Sequence, residues 1–254
     1  MPVALQEIVS FLNDTLRIGS IKDDPRAMNG LQVENDGLVN RVAAAVDGSS
    51  KTIEAAIEAG ADLLLLHHGI FWSGMTPVAG WWKKKLEMLL HGGLAVYSAH
   101  LPLDLHPTLG NNALIAKYLS LEDIAPEIHC HGEPIGCAGF FPGTLGELKA
   151  EFSRILKGPV GGVMSDAPDT PAGRVAVCSG AGAGEIYQIH AKGYRTYLTG
   201  EVCHWAFGTA EDMGMNLFFG GHYGTETFGV RELGRLLEER FGLPWVFIHH
   251  PTGA

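Results

Sequence analysis

Three apolar runs in this chain end on residues able to bind a divalent metal. Residues 63–66 (LLLL) lead into His67 and His68, residues 94–98 (LAVYS) into His100 and Asp104, and residues 215–219 (MNLFF) into His222 and Glu226. Imidazole and carboxylate together suit Zn, Fe, Mn, Co or Ni, and the ends of buried strands are where an open α/β sheet builds its ligand crevice. A helix beginning near Tyr223 puts His222 and Glu226 about one turn apart, close enough to address one site, and one carboxylate can bridge two ions. Adjacent strand residues point to opposite faces, so His67 and His68 share a site only where the chain leaves the strand, and Gly69 supplies that bend.

Other chemistries find less support. His91, His106, His129, His131 and His190 stand alone and read as hydrogen-bonded structural residues, and His249 and His250 end the last strand. The turn Gly180-Ala-Gly-Ala-Gly-Glu185 departs from the G-x-G-x-x-G pattern at Glu185 and reads as a tight strand-to-helix turn rather than a phosphate site. There is no G-x-S-x-G elbow, and the cysteines (Cys130, Cys137, Cys178, Cys203) form no C-x-x-C pair, so covalent catalysis and a zinc knuckle are both unsupported. Phe71, Trp72, Trp81 and Trp82 are expected in a core or a subunit interface.

The donors require strands that end together, and the periodicity supplies them. Leu5, Ile8, Val9, Leu12 and Leu16 share one face of a helix. Strand 41–46, a cap at Ser49 and Ser50, helix 51–59 stopped by Gly60, and strand 61–66 form a βαβ unit. Helix 83–90, strand 94–98 and helix 112–119 follow. The pattern then restarts with strand 135–141, a capping box at Thr144 and Glu147, helix 148–156, and strands 174–178, 194–199 and 215–219.

The restart is a repeat. The segment beginning RVAAAVDG at Arg41 aligns without a gap on RVAVCSGA at Arg174, matching Gly60 with Gly193 and His68 with Glu201. At a slightly different offset, His100 matches His222 and Asp104 matches Glu226. We expect an α/β protein of two similar domains from an internal duplication, with the metal site in the cleft between them. The first domain spans residues 1–125 plus about 230–254 and the second 126–229, with a Pro-Gly junction at 126–134 and strand 245–250 returning to the first domain.

With 254 residues and a formal net charge of −10, the chain has no basic stripe to meet a phosphate backbone, so nucleic acid is a poor partner. No apolar run approaches bilayer length, and the N-terminus lacks a secretory pattern, which points to a cytoplasmic protein without membrane association.

NGLQVE at Asn29, LLLLHHGIFW at Leu63, YSAHLPLD at Tyr97, LTGE at Leu198 and GGHYGTE at Gly220 together resemble the GTP cyclohydrolase I type 2-like family, also described as Nif-three-like dinuclear metal centre hexamers, in its short bacterial form. The resemblance covers nearly the whole chain. It implies two divalent ions held by His67, His68, Asp104, His222 and Glu226, and a toroidal homohexamer built as a trimer of dimers. His100 and Glu201, the repeat counterparts of ligands, are then candidate catalytic residues that orient ligands or shuttle a proton. Where longer members carry HTNLD this chain reads HLPLD, which weakens polar contact from that loop. The implied activity is metal-dependent hydrolysis of a small-molecule or nucleotide substrate such as GTP; the alternative is a non-catalytic metal-binding or metal-delivery homohexamer.

Overall fold

Strand β1 (Val3–Ala4) runs directly into helix α1 (Leu5–Leu16), which buries Leu5, Ile8, Val9, Leu12 and Leu16 along one face. Arg17 ends the helix in the left-handed conformation. In the computed structural model, which describes residues 1–72, 74, 76–130 and 132–253, the chain continues through β2 (Gly30–Val33), β3 (Leu38–Val39) and β4 (Val42–Asp47). Ser49 caps α2 (Ser50–Glu58) by accepting from the Thr52 N–H, and β5 (Leu63–His68), α3 (Gly80–His91) and β6 (Ala95–Ser98) complete the succession. Strands β4, β5 and β6 are parallel, and β2 adds antiparallel to β6. One face of this sheet carries Ala43, Ala45, Leu64, Leu66 and Val96 under Ile53, Ala56, Trp82 and Leu89 of α2 and α3. The strands are buried on both faces, which is why they read as unbroken apolar runs.

The short helix α4 (Leu101–Asp104) closes this first segment. The chain divides at its end: unit 1 comprises Met1–Leu103 with Gly229–His250, and unit 2 takes Asp104–Phe228. Unit 2 opens with α5 (Asn111–Tyr118) and the antiparallel pair β7 (Glu122–Cys130) and β8 (Glu133–Thr144). Pro126, Ile128, His129 and Cys130 pair with Cys137, Gly136, Pro134 and Glu133, and Pro126 is tolerated because β7 is an edge strand. Thr144 and Glu147 form the capping box that starts α6 (Leu145–Leu156).

Then come β9 (Gly161–Val163), β10 (Pro171–Cys178), a single 3₁₀ turn at Gly182–Glu185, α7 (Ile186–Ala191), β11 (Thr196–Thr199), α8 (His204–Asp212), β12 (Asn216–Phe219) and α9 (His222–Thr225). Among the described residues the sheet order is β7-β8-β10-β11-β12-β9, with β10, β11 and β12 parallel. Its two faces alternate strictly: Val175, Val177, Leu198 and Phe218 face α6, whereas Ala176, Tyr197 and Leu217 face Ile186, Ile189, Ala206 and Ala210 of α7 and α8. That is the period of two that a doubly covered strand imposes.

Helix α10 (Thr227–Phe241) leads back to unit 1, where β13 (Trp245–Phe247) pairs parallel to β4 and gives the order β13-β4-β5-β6-β2. Each unit thus holds three consecutive parallel strands flanked on the third by an antiparallel strand that precedes them in sequence: β2 beside β6 and β9 beside β12. Among the described residues, no helix is long and apolar enough to cross a membrane.

Candidate metal centre

In unit 1 the donors gather where β5 outruns its neighbour. Strand β6 ends with Ser98 opposite Leu66, while β5 continues through His67 to His68, which still pairs with Asp47 on the other side. The histidine pair therefore lies within the strand rather than beyond it, contrary to the expectation from alternation. The rings nevertheless meet, with centroids 4.8 Å apart. His100, two residues past β6, joins them at 5.0 Å from His67 and 5.6 Å from His68. Each of the three offers a nitrogen within 4.8 Å of the others.

Every one of these rings is held through Nδ1. His67 Nδ1 lies 3.0 Å from the Ala99 carbonyl oxygen, His68 Nδ1 2.8 Å from Asp47 Oδ1, and His100 Nδ1 2.8 Å from Asp23 Oδ1. A ring nitrogen facing an oxygen acceptor carries the proton, so in the neutral imidazole Nε2 keeps the lone pair. Burial pushes the Asp23 carboxyl up, but His100 beside it and the amide of Asn29 together hold it below its ordinary value. The turn after His68 is clasped by Gln32, whose Oε1 accepts from the Ile70 N–H at 2.8 Å and whose amide occupies the space a Cβ at Gly69 would need.

In unit 2 the loops after β10, β11 and β12 stack as three glycine turns. Gly200 and Glu201 both donate backbone N–H to the Gly180 carbonyl, at 3.1 and 2.8 Å, and Gly221 donates to the Gly200 carbonyl at 2.8 Å. Gly180 has φ +63°, and a Cβ there would collide with Glu226 Oε1. The Gly-rich run is thus a close-approach device beneath the carboxylate, consistent with its reading as a tight turn.

Upon this stack stand the donors. Glu226, 3% exposed, lies 3.2 Å from His222 Nε2, and His222 Nδ1 lies 2.8 Å from Glu201 Oε2. Asp104, 8% exposed, accepts from Asn111 Nδ2 at 2.7 Å and presents an oxygen within 4.8 Å of one from Glu226. Asn112 fastens the base of the site, its Oδ1 accepting from the Ser179 N–H at 2.7 Å. Burial lowers the affinity of His222 for a proton, but Glu226 first and Glu201 second overcome it and push the imidazole up to about 9.

All seven residues expected at the site stand in one of these two groups. His67, His68 and His100 come together in unit 1, and Asp104, Glu201, His222 and Glu226 in unit 2. His106 instead accepts backbone N–H groups of its own turn, His129 faces the Glu127 carbonyl, and His131 lies outside the described residues. Asp23, Asp47, Asn111, Asn112 and Ser179 carry no signal of a site role in the sequence, whereas Asn29 and Gln32 lie in the NGLQVE motif.

The donors suit a divalent cation. In unit 2, two buried carboxylates within 4.8 Å of each other repel unless a cation or proton lies by them; in unit 1, three imidazoles with Nδ1 against an oxygen offer the nitrogen donors that borderline metals prefer. A family model described as Duf34/NIF3 (NGG1p interacting factor 3) matches residues 3–252. A relative named GTP cyclohydrolase 1 type 2 homolog from Deinococcus radiodurans is 42% identical over 252 residues, covering 99% of this chain and 95% of its own. One of the same name from Pyrococcus abyssi is 41% identical, covering 98% of each. The crystal structure of TTHA1606 from Thermus thermophilus superposes with a TM-score of 0.89 at 36% identity, over 99% of this chain and 100% of that one.

Proposed function

The chain belongs to the Duf34/NIF3 (NGG1p interacting factor 3) family, and on that premise we propose that it is a dinuclear metal-dependent hydrolase whose two ions are held by His67, His68, Asp104, His222 and Glu226. The observation that carries this reading is the common fixing of the rings: His67, His68, His100 and His222 all have Nδ1 against an oxygen, at 3.0, 2.8, 2.8 and 2.8 Å. An oxygen partner on one ring nitrogen is the usual means of orienting the other toward a metal.

Two divalent ions, when bound, supply Lewis acidity and make water a usable nucleophile near neutral pH. The chain's own residues do the rest. Asp104 and Glu226 provide the anionic charge that favours cations. His222 would give up a proton if it took a cation, and Glu201, half exposed and bonded to His222 Nδ1, is placed to pass a proton to solvent. A guanine nucleotide, the substrate class suggested by the relatives' name, is the first to test. The acidic groups behind the rings, Asp23, Asp47 and Glu201, favour cations over phosphates, and this supports a second reading as a non-catalytic metal-binding or metal-delivery protein. Assembly as a cytoplasmic homohexamer belongs to both readings, with a solution mass near six chains as its check.

Metal content by plasma mass spectrometry on protein purified without chelator is the test. We expect about two ions per chain, falling sharply in His68→Ala and in Glu226→Ala. Wild-type protein that remains metal-free after anaerobic reconstitution would sink the reading. Metal-loaded protein that leaves GTP and other nucleotides intact would favour the second.

A further inference from the structure

Asp23 lies in the stretch before β2, with a side chain 5% exposed, and four donors converge on its carboxylate. Oδ1 receives the Asp24 N–H at 2.7 Å and faces His100 Nδ1 at 2.8 Å; Oδ2 receives the Leu101 N–H at 3.0 Å and Asn29 Nδ2 at 2.8 Å. Two donors on each oxygen is the pattern of an ionised carboxylate, which can only accept. His100 Nδ1 must therefore be the donor of its pair. The Asn29 side-chain oxygen accepts from the His100 backbone N–H at 2.8 Å, so ring and main chain are fixed together.

Nε2 is then the remaining nitrogen of a ring that cannot turn. The His100 ring lies among those of His67 and His68, with ring nitrogens within 4.8 Å of one another, and Trp72 covers its flank at 4.7 Å and 81°. Trp72 meets His68 as well, at 5.7 Å, so one indole walls two of the three imidazoles. Three imidazoles whose nitrogens lie within 4.8 Å of one another form a nitrogen-rich set suited to zinc and its neighbours, not to magnesium or calcium.

We propose that His100 is a third imidazole donor, completing with His67 and His68 a cation site contained in unit 1, and that Asp23 and Asn29 are positioning residues that hold its Nε2 toward that site. The proposal rests on the metal-binding reading above and adds to it a ligand, a metal preference and two residues that set the ligand's tautomer. Asp23→Asn is the sharpest variant. Its amide presents a donor to His100 Nδ1, which drives the ring to the opposite tautomer and turns a protonated Nε2 toward the site, as the same exchange does in a catalytic triad.

The test is a zinc titration of the full chain with ¹⁵N-labelled histidine, followed by nitrogen NMR. Zinc-free wild type should show His100 protonated on Nδ1, and the first equivalent of zinc should shift the Nε2 signals of His67, His68 and His100 together. Asp23→Asn should move the His100 proton to Nε2 and weaken the first zinc by about 10- to 100-fold, the ordinary cost of losing a partner behind a ligand. A His100 Nε2 signal unmoved by zinc, while those of His67 and His68 shift, would overturn the proposal and leave the metal reading standing. Zinc that moves none of the three rings would remove both. The wild-type titration decides the matter even where a variant fails to fold.

Discussion

His222 lies between two carboxylates, with Nδ1 2.8 Å from Glu201 and Nε2 3.2 Å from Glu226. In metal-free protein the pair holds the ring protonated up to about 9, whereas an unfolded chain releases that proton near 6.5. A group whose folded value is raised stabilises the fold fully below its unfolded value and loses that contribution as pH climbs through its folded value. The chelated protein should therefore melt at progressively lower temperature between about pH 6.5 and 9. If His222 is a ligand as proposed, a bound cation would displace this proton, so the loaded protein should lack this slope, and so should chelated His222→Gln; melting curves over a pH series check all three. Residues of this kind are legible in sequence because donor type and strand-end position declare them. Their supports are not: Asp23 reaches His100 across 77 positions and Asn112 reaches Ser179 across 67, separations that no local pattern records.

At the scale of elements, the parallel strands could be read because burial on both faces leaves uninterrupted apolar runs such as residues 63–66. The antiparallel strands β2, β7 and β9 could not. GLQV, EDIAPEIHC and GGV show neither alternation nor a continuous apolar run; they are recruited as edges by strands already in place. Nor does the chain leave the strand at the histidine pair: His68 still pairs with Asp47, and the two rings meet 4.8 Å apart within β5. The glycine stack of unit 2 shows how closely the strand-end loops approach. A Cβ on Gly200 would stand 2.7 Å from the Gly180 carbonyl oxygen and 2.9 Å from its nitrogen, so Gly200→Ala must push two turns apart. An overpacked close contact costs about 1–3 kcal/mol. We expect that loss in urea unfolding, with weaker metal binding besides, because the Glu201 N–H bonded to Gly180 moves with the turn. Unchanged stability would show that the stack yields without strain.

On the whole molecule, the repeat in sequence finds a counterpart in topology, with three parallel strands and a preceding antiparallel edge strand in each unit. Unit 1 does not complete its sheet from its own first segment. Strand β13 and the buried side chains Val230, Leu233, Leu237 and Leu243 come from beyond residue 228. Gly234 lets Trp245 approach α10 closely, and Phe241 packs edge-on against Phe11 of α1 at 5.4 Å. Four fully buried aliphatic side chains at about 1.5–3 kcal/mol each amount to about 6–12 kcal/mol, comparable with the whole stability of an ordinary domain. A chain ended after Phe228 should therefore leave residues 1–103 unfolded, while residues 104–228, which contain every strand of the six-stranded sheet, keep dispersed amide resonances. Zinc added to that truncated chain should no longer move the signals of His67, His68 and His100 together, because the strand ends that align their rings exist only when the returning segment is present. Retained zinc binding by those three rings would mean that β4, β5 and β6 order themselves without β13 and α10.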